Sequence, residues 1–210
     1  SETTDGSYVI FDRTAPTEFT VDTVISTGGN TIENAWNSTN TGLNVFIPVA
    51  SDTTLKNGWV QVWVKIGMNA FEKLGTSSVI LNGDLNTNKT IQFTAAQVEA
   101  ITGFTEEDTI SFKAIMSDRP GNETEGNESN FRLVIDQTPP VILSSHIESN
   151  NADTTKAKVE DIISITFEVD EDVQTPTMTI ASGAGTVTDL GSFKWLATYI
   201  MLETDDEGVI

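Results

Sequence analysis

Cysteine is absent from the 210 residues. Zinc–thiolate sites, thiol catalysis and disulfides are therefore excluded. Small secreted β domains often rely on disulfides, so core size or bound ions must supply that stability here. Basic residues are scarce as well: 11 Lys and Arg stand against 31 Asp and Glu, a net charge of −20. The imbalance is spread along the chain. Residues 1–136 hold 18 acids and 8 bases, the remainder 13 and 3, so each part carries −10. Such a field repels nucleic acid and anionic membranes and favours divalent cations. Solubility in a salty environment is the blander reading of the same charge. No apolar run approaches the length that crosses a bilayer, so direct membrane insertion is not expected. Ser1 opens no signal-peptide pattern, which leaves a mature form or an excised fragment as the expectation.

Catalytic signals are equally thin. Histidine occurs once, as His146, beside Ser144, Ser145 and Glu148, and reads as solvated. Gly28-Gly29 and Gly183-Ala184-Gly185 are turn glycines with no lysine and hydroxyl following, so no phosphate loop is indicated. Paired-carboxylate chemistry selects no particular pair among so many acids. No enzyme is expected. Asn37, Asn88, Asn122 and Asn127 fit the glycosylation pattern, which matters only in a host that reads it.

What the chain does contain is a phrase that occurs twice. Val9-Ile10-Phe11-Asp12-Arg13-Thr14-Ala15-Pro16 returns as Leu133-Val134-Ile135-Asp136-Gln137-Thr138-Pro139-Pro140. In both copies a β-type run stops at aspartate, crosses threonine and ends in proline, which cannot continue a sheet ladder. Each copy reads as the last strand of one module leading into the first strand of the next, and a repeated junction points to an array of β modules. The expected division is the end of a preceding module or a leading strand over 1–11, a module over 12–136 and a second over 137–210.

Strand patterning agrees. Val45, Ile47 and Val49 share one face of the run from Leu43, and Val60, Val62, Val64 and Ile66 share one face of Trp59 to Ile66. Ile110, Phe112, Ala114 and Met116 do the same within Thr109 to Met116. With Phe19 to Ile25, Ser77 to Leu81, Thr90 to Thr94 and Phe131 to Ile135, this predicts seven short strands, the pattern of an immunoglobulin-like sandwich. Ala95 to Ile101 predicts about two helical turns between the fifth and sixth strands, with Gly103 just past its end. The second module predicts strands at Val141 to Ile147, Ile163 to Val169, Thr177 to Ala181, Gly185 to Thr188 and Trp195 to Met201. Two strands are missing by comparison with the first. Either that module continues past Ile210 or another chain supplies the edge. The expected fold class is thus all-β, two tandem immunoglobulin-like sandwich modules with the second incomplete.

Three phrases resemble bacterial Ig-like domains strung along large cell-surface and adhesin proteins. These are the Asp-x-Thr-x-Pro junctions at Asp12 to Pro16 and Asp136 to Pro140, and Ser117 to Thr124, similar to an Asp-x-Ala-Gly-Asn turn with Pro120 in place of alanine. The third is the succession Phe167 to Asp172, Thr177 to Ile180 and Trp195 to Tyr199. The resemblance implies a secreted or cell-surface spacer or adhesive module of bacterial origin, its partners being other modules of the same long chain.

Two site expectations follow. In such a sandwich the start of the module and two of its loops share one end, which gathers Asp12, Asp52, Asp118 and Asn122 in the first module. In the second it gathers Asp136, Asp170 and Asp172. Calcium there would stiffen the joint between modules. The plainer reading has these aspartates making Asx turns and capping strand ends. No EF-hand loop is present, because Asp170-Glu171-Asp172 lacks the turn glycine and terminal glutamate. Trp59 and Trp63, roughly 13 Å from each other, fall with Gln61 and Lys65 on the strand face opposite the apolar one. They form a candidate platform for a surface glycan or protein ligand, unless neighbouring chain covers them. The expected function is a non-catalytic structural or adhesive spacer. The alternative is a carbohydrate-binding accessory module of a secreted polysaccharide-active enzyme.

Overall fold

The computed structural model describes residues 11–209; positions 1–10, with most of the expected leading strand, and 210 lie outside them. The chain divides into two compact units, Ser1–Thr138 and Pro139–Ile210. Among the described residues the architecture is all-β, built of several sheets with no barrel.

The first unit is a two-layer sandwich. One sheet joins β1 (Thr23–Thr27), β3 (Gly42–Val49) and β6 (Thr87–Thr94) in that order. The other runs β2 (Ala35–Asn37), β9 (Arg132–Asp136), β7 (Thr109–Ser117), β4 (Trp59–Ile66), β5 (Glu72–Val79), with β8 (Glu123–Glu125) also on β7. Alternation explains the layering, since successive strand residues point to opposite faces. In the antiparallel β4–β7 ladder Val60 faces Met116, Val62 faces Ala114, Val64 faces Phe112 and Ile66 faces Ile110. All eight are at most 2% exposed. Burial of each large one contributes about 1.5–3 kcal/mol. Leu43, Val45, Ile47, Ile91 and Phe93 close the core from the other sheet.

Two local features depart from the alternation pattern. β2 is a three-residue strand pairing parallel with β9, Trp36 opposite Ile135. It is too short, and too closely flanked by asparagines, to be expected from sequence. In β4–β5 the register jumps from Val60↔Ser78 to Val62↔Leu74. β5 therefore starts earlier than Ser77, and Gln61 faces a bulge. Gly75 sits in that bulge at φ +59°, where a Cβ would lie 3.0 Å from Phe93 and Gln97. Helix α1 (Ala95–Glu99) links β6 to β7 as expected. It starts at Thr94, whose N–H donates to Gln97 Oε1 at 3.0 Å.

The second unit is built on one four-stranded antiparallel sheet. Its order is β10 (Ile142–Ser149), β11 (Ile162–Val169), β15 (Lys194–Ile200), β14 (Thr186–Gly191). Ile163 pairs with Tyr199, Ile165 with Ala197 and Phe167 with Trp195, which puts the apolar residues of β11 and β15 on one face. A small ribbon of β12 (Thr179–Ile180) and β13 (Gly183–Ala184) completes the unit, and its Ile180 is buried with Ile163 and Ala197. Gly183 is required there, since a Cβ would meet the Tyr199 ring at 2.2 Å. The strand expected over Thr177 to Ala181 is thus two residues long, and the one expected over Gly185 to Thr188 extends to Gly191.

Both units share an ordering. The first strand pairs with the second long strand, and that strand pairs with a later one, β1-β3-β6 in one case and β10-β11-β15 in the other.

Candidate functional site

At one end of the first unit the structure brings together the start of the unit and two loops. Asp118 follows β7 and is only 2% exposed. Its Oδ1 accepts the Gly121 and Asn122 N–H groups at 2.8 and 2.7 Å, and its Oδ2 accepts Asn122 Nδ2 at 2.8 Å. Asn122 Nδ2 also approaches the Asp12 carbonyl at 3.5 Å. Asp52 caps a 3-10 turn at Thr53–Leu55, accepting the Thr54 N–H at 2.9 Å. The Arg119 N–H donates to the Thr54 carbonyl at 2.9 Å, tying the two loops. Asp12 accepts the Thr14 N–H at 2.8 Å.

Each of these carboxylates is thus committed to a nearby donor, the arrangement of Asx turns and caps. Calcium would need six to eight oxygens around one point. Among the described residues no three His, Cys, Asp or Glu side chains gather closely enough to hold a metal ion. Asp118 and Asn122 are joined side chain to side chain, Asp12 meets Asn122 only through its backbone carbonyl, and Asp52 is tied to them only by way of the Thr54–Arg119 backbone bond.

In the second unit Asp170 accepts the Val141 N–H at 2.8 Å and returns its own N–H to the Val141 carbonyl at 3.2 Å, pinning the loop after β11 to the start of β10. Asp172 lies exposed in that loop. Asp136 ends β9 in the first unit, in register with Asn37.

Trp59 and Trp63 occupy the outer face of β4, both half-buried. Trp59 lies opposite Ser117 and Val79, Trp63 opposite Lys113 and Lys73. Lys73 Nζ stands 5.6 Å over the Trp63 ring, and the ring of Phe71 carries Lys65 and Lys113 at 4.8 and 4.3 Å. The Trp63 indole N–H is enclosed without an acceptor. Glu128 accepts from Lys65 at 3.1 Å and from Arg132 at 2.8 Å. Burial pushes the Glu128 carboxyl up, but the Lys65 hydrogen bond and the charges of Lys65 and Arg132 outweigh it and hold the group below its usual range. The face is an aromatic row roofed by ammonium groups. Lys65 was placed on this face from the sequence, but Phe71, Lys73 and Lys113 were missed, because cross-strand register, not spacing along the chain, sets Lys73 and Lys113 opposite Trp63. Gln61 is missing from this exposed row, being only 5% exposed within the bulge.

The second unit also has an open groove whose lining includes Ile147, Ile163 and Met201 together with Lys156, Lys158, Asp205 and Glu207. Tyr199 Oη donates to Asp205 Oδ1 at 2.9 Å there. Burial and the Asp205 carboxylate push the Tyr199 phenol up from its ordinary value. His146 is exposed on β10, its Nε2 3.7 Å from Glu148. No helix among the described residues is long and apolar enough to cross a membrane. Comparison with protein-family models, with curated proteins and with solved structures finds no match to this chain.

Proposed function

We propose that the chain is a non-catalytic structural spacer made of two Ig-like modules, from a secreted or cell-surface bacterial protein of the adhesin type. The observation that carries this reading is the recurrence of one strand ordering in both units, β1-β3-β6 and β10-β11-β15, each following an Asp-x-Thr-x-Pro phrase. Two units built on one plan and opened by one phrase fit a tandem array better than a single active centre. The loop end of the first unit suits the same role, because Asp118 rigidifies it through its own hydrogen bonds. Calcium at that end is not part of the proposal, since the Asp12, Asp52 and Asp118 carboxylates each accept from a nearby donor already.

The carbohydrate-binding alternative rests on Trp59 and Trp63. It is disfavoured by Lys73 on the Trp63 ring, since a sugar would have to displace a cation already held there. A glycan array separates the two readings. The spacer predicts silence from the parent chain and from Trp63→Ala alike. Glycan binding by the parent that Trp63→Ala abolishes would replace the spacer with the accessory module.

A further inference from the structure

Asparagine is followed by glycine twice in the chain, at Asn57-Gly58 and at Asn82-Gly83. Glycine has no Cβ to shield its amide nitrogen, so that nitrogen can reach the side-chain carbonyl of the residue before it. The fold treats the two pairs differently. Asn57 and Gly58 are clamped between loops. The Asn57 N–H donates to the Ile80 carbonyl at 2.9 Å, the Gly58 N–H to the Leu55 carbonyl at 2.8 Å, and the Gly58 carbonyl accepts the Ile80 N–H at 2.9 Å. Gly58 is buried, and a Cβ there would run into the Ser117 carbonyl.

Asn82 and Gly83 sit in the single 3-10 turn Asn82–Asp84 between β5 and β6. Both are exposed, and a Cβ on Gly83 would meet nothing within 4 Å. Among the described residues neither the Asn82 side-chain amide nor the Gly83 N–H has a hydrogen-bond partner. The turn is closed by the Asp84 N–H on the Leu81 carbonyl at 3.1 Å. The Asp84 Oδ2 in turn accepts the Leu81 N–H at 2.7 Å and the buried Lys89 Nζ at 2.9 Å.

We propose that Asn82 is a spontaneous modification site, at which this turn deamidates through a cyclic imide while Asn57 is protected. The Gly83 nitrogen gives up its proton and attacks Asn82 Cγ. A C–N bond forms, the Cγ–Nδ2 bond breaks, and Nδ2 leaves as ammonia with that proton. Water then opens the ring, its hydroxyl going to a carbonyl carbon and its proton back to the Gly83 nitrogen. Opening at the side-chain carbonyl leaves aspartate. Opening at the main-chain carbonyl leaves isoaspartate, whose chain runs through the former side chain and is one methylene longer. The longer link parts Leu81 from Asp84, so one carboxylate no longer serves the Leu81 N–H and Lys89 together.

Reaching the ring geometry requires Asn82 to leave its turn, which breaks one backbone bond of a poorly aligned type. At Asn57 three backbone bonds must open first, so conversion there is expected to be slower by about ten-fold or more.

Ageing the whole chain at mildly alkaline pH, followed by peptide mapping with mass spectrometry, tests this. The Asn82 peptide is expected to gain the mass difference between OH and NH2 and to be labelled by an isoaspartate-specific methyltransferase. The Asn57 peptide should lag by about ten-fold or more, and the lag should vanish in denaturant, where both pairs are open. Gly83→Ala meets open space, so it should keep the parental melting midpoint while blocking the label. Asn82→Gln, whose longer side chain disfavours the ring, should do the same and decides the matter if the alanine variant does not fold. The aged parent should melt lower than the fresh chain, and the equally aged variants should not. An Asn82 peptide that stays intact while the denatured chain converts overturns the proposal, as does Asn57 converting as fast as Asn82. Full conversion with an unchanged midpoint overturns the loss of the Asp84 contacts.

Discussion

The Gln61 side-chain amide donates to the Leu74 carbonyl at 3.0 Å and to the Val62 carbonyl at 2.9 Å. It thereby fills the gap where β5 swings away from β4. A polar side chain on the outer face of a strand has been drawn in to complete a broken ladder.

Replacing it should be expensive for a residue that sequence reading placed on the surface. Gln61→Leu removes the donor and leaves the Leu74 carbonyl without its partner. An unsatisfied buried acceptor costs about 1–3 kcal/mol. Chemical denaturation should show a loss of that size, whereas Thr76→Ala in the same bulge, on an exposed residue, should change stability by less than about 0.5 kcal/mol.

The ion pair of Lys89 and Asp84, 2.9 Å apart, gives a pH signature. Burial pushes the Asp84 carboxyl up, but the Leu81 N–H and Lys89 outweigh it, so the folded-state value lies below the ordinary one. A lowered carboxyl contributes stability above its unfolded pKa of about 3.9, and that contribution is lost as pH falls through the folded value. Asp84→Asn should therefore be less stable than the parent at neutral pH. The two should converge in acid below the carboxylate range. Melts across pH check both the sign and the window, and a gap that widened in acid would contradict the assignment.

Asp118 yields the third expectation. Its carboxylate already holds Gly121, Asn122 and the Asn122 amide, so millimolar calcium should leave the melting midpoint unchanged. An ion bound only by the folded state must raise it. Asp118→Ala should cost about 2 kcal/mol or more with or without calcium, because a buried charge-assisted turn is lost. A calcium-dependent rise in the parent that vanishes in Asp118→Ala would instead establish the metal joint.

How far the sequence could be read differs from element to element. The valines of β4 and the Ile110, Phe112, Ala114, Met116 set of β7 were legible because period-two alternation fixes which face a strand buries. α1 was legible from its alanines and from Gly103. The cation-covered face was not, for Trp63 meets Lys73 and Lys113 only through neighbouring strands. Asp12 and Asn122 were expected to share an end and do so. The commitment of their donors and acceptors to one another could be weighed in sequence but not decided there.

By itself, then, the sequence determined strand content, the buried faces and the repeated junction phrase, all of which are local consequences of side-chain alternation and of proline's missing N–H. Tertiary structure alone decided the parallel seat of β2, the bulge that recruits Gln61, the lysine roof over Trp63 and Phe71, and the open side of β10. Those depend on register between segments far apart in the chain, and a one-residue slip in pairing would exchange every face.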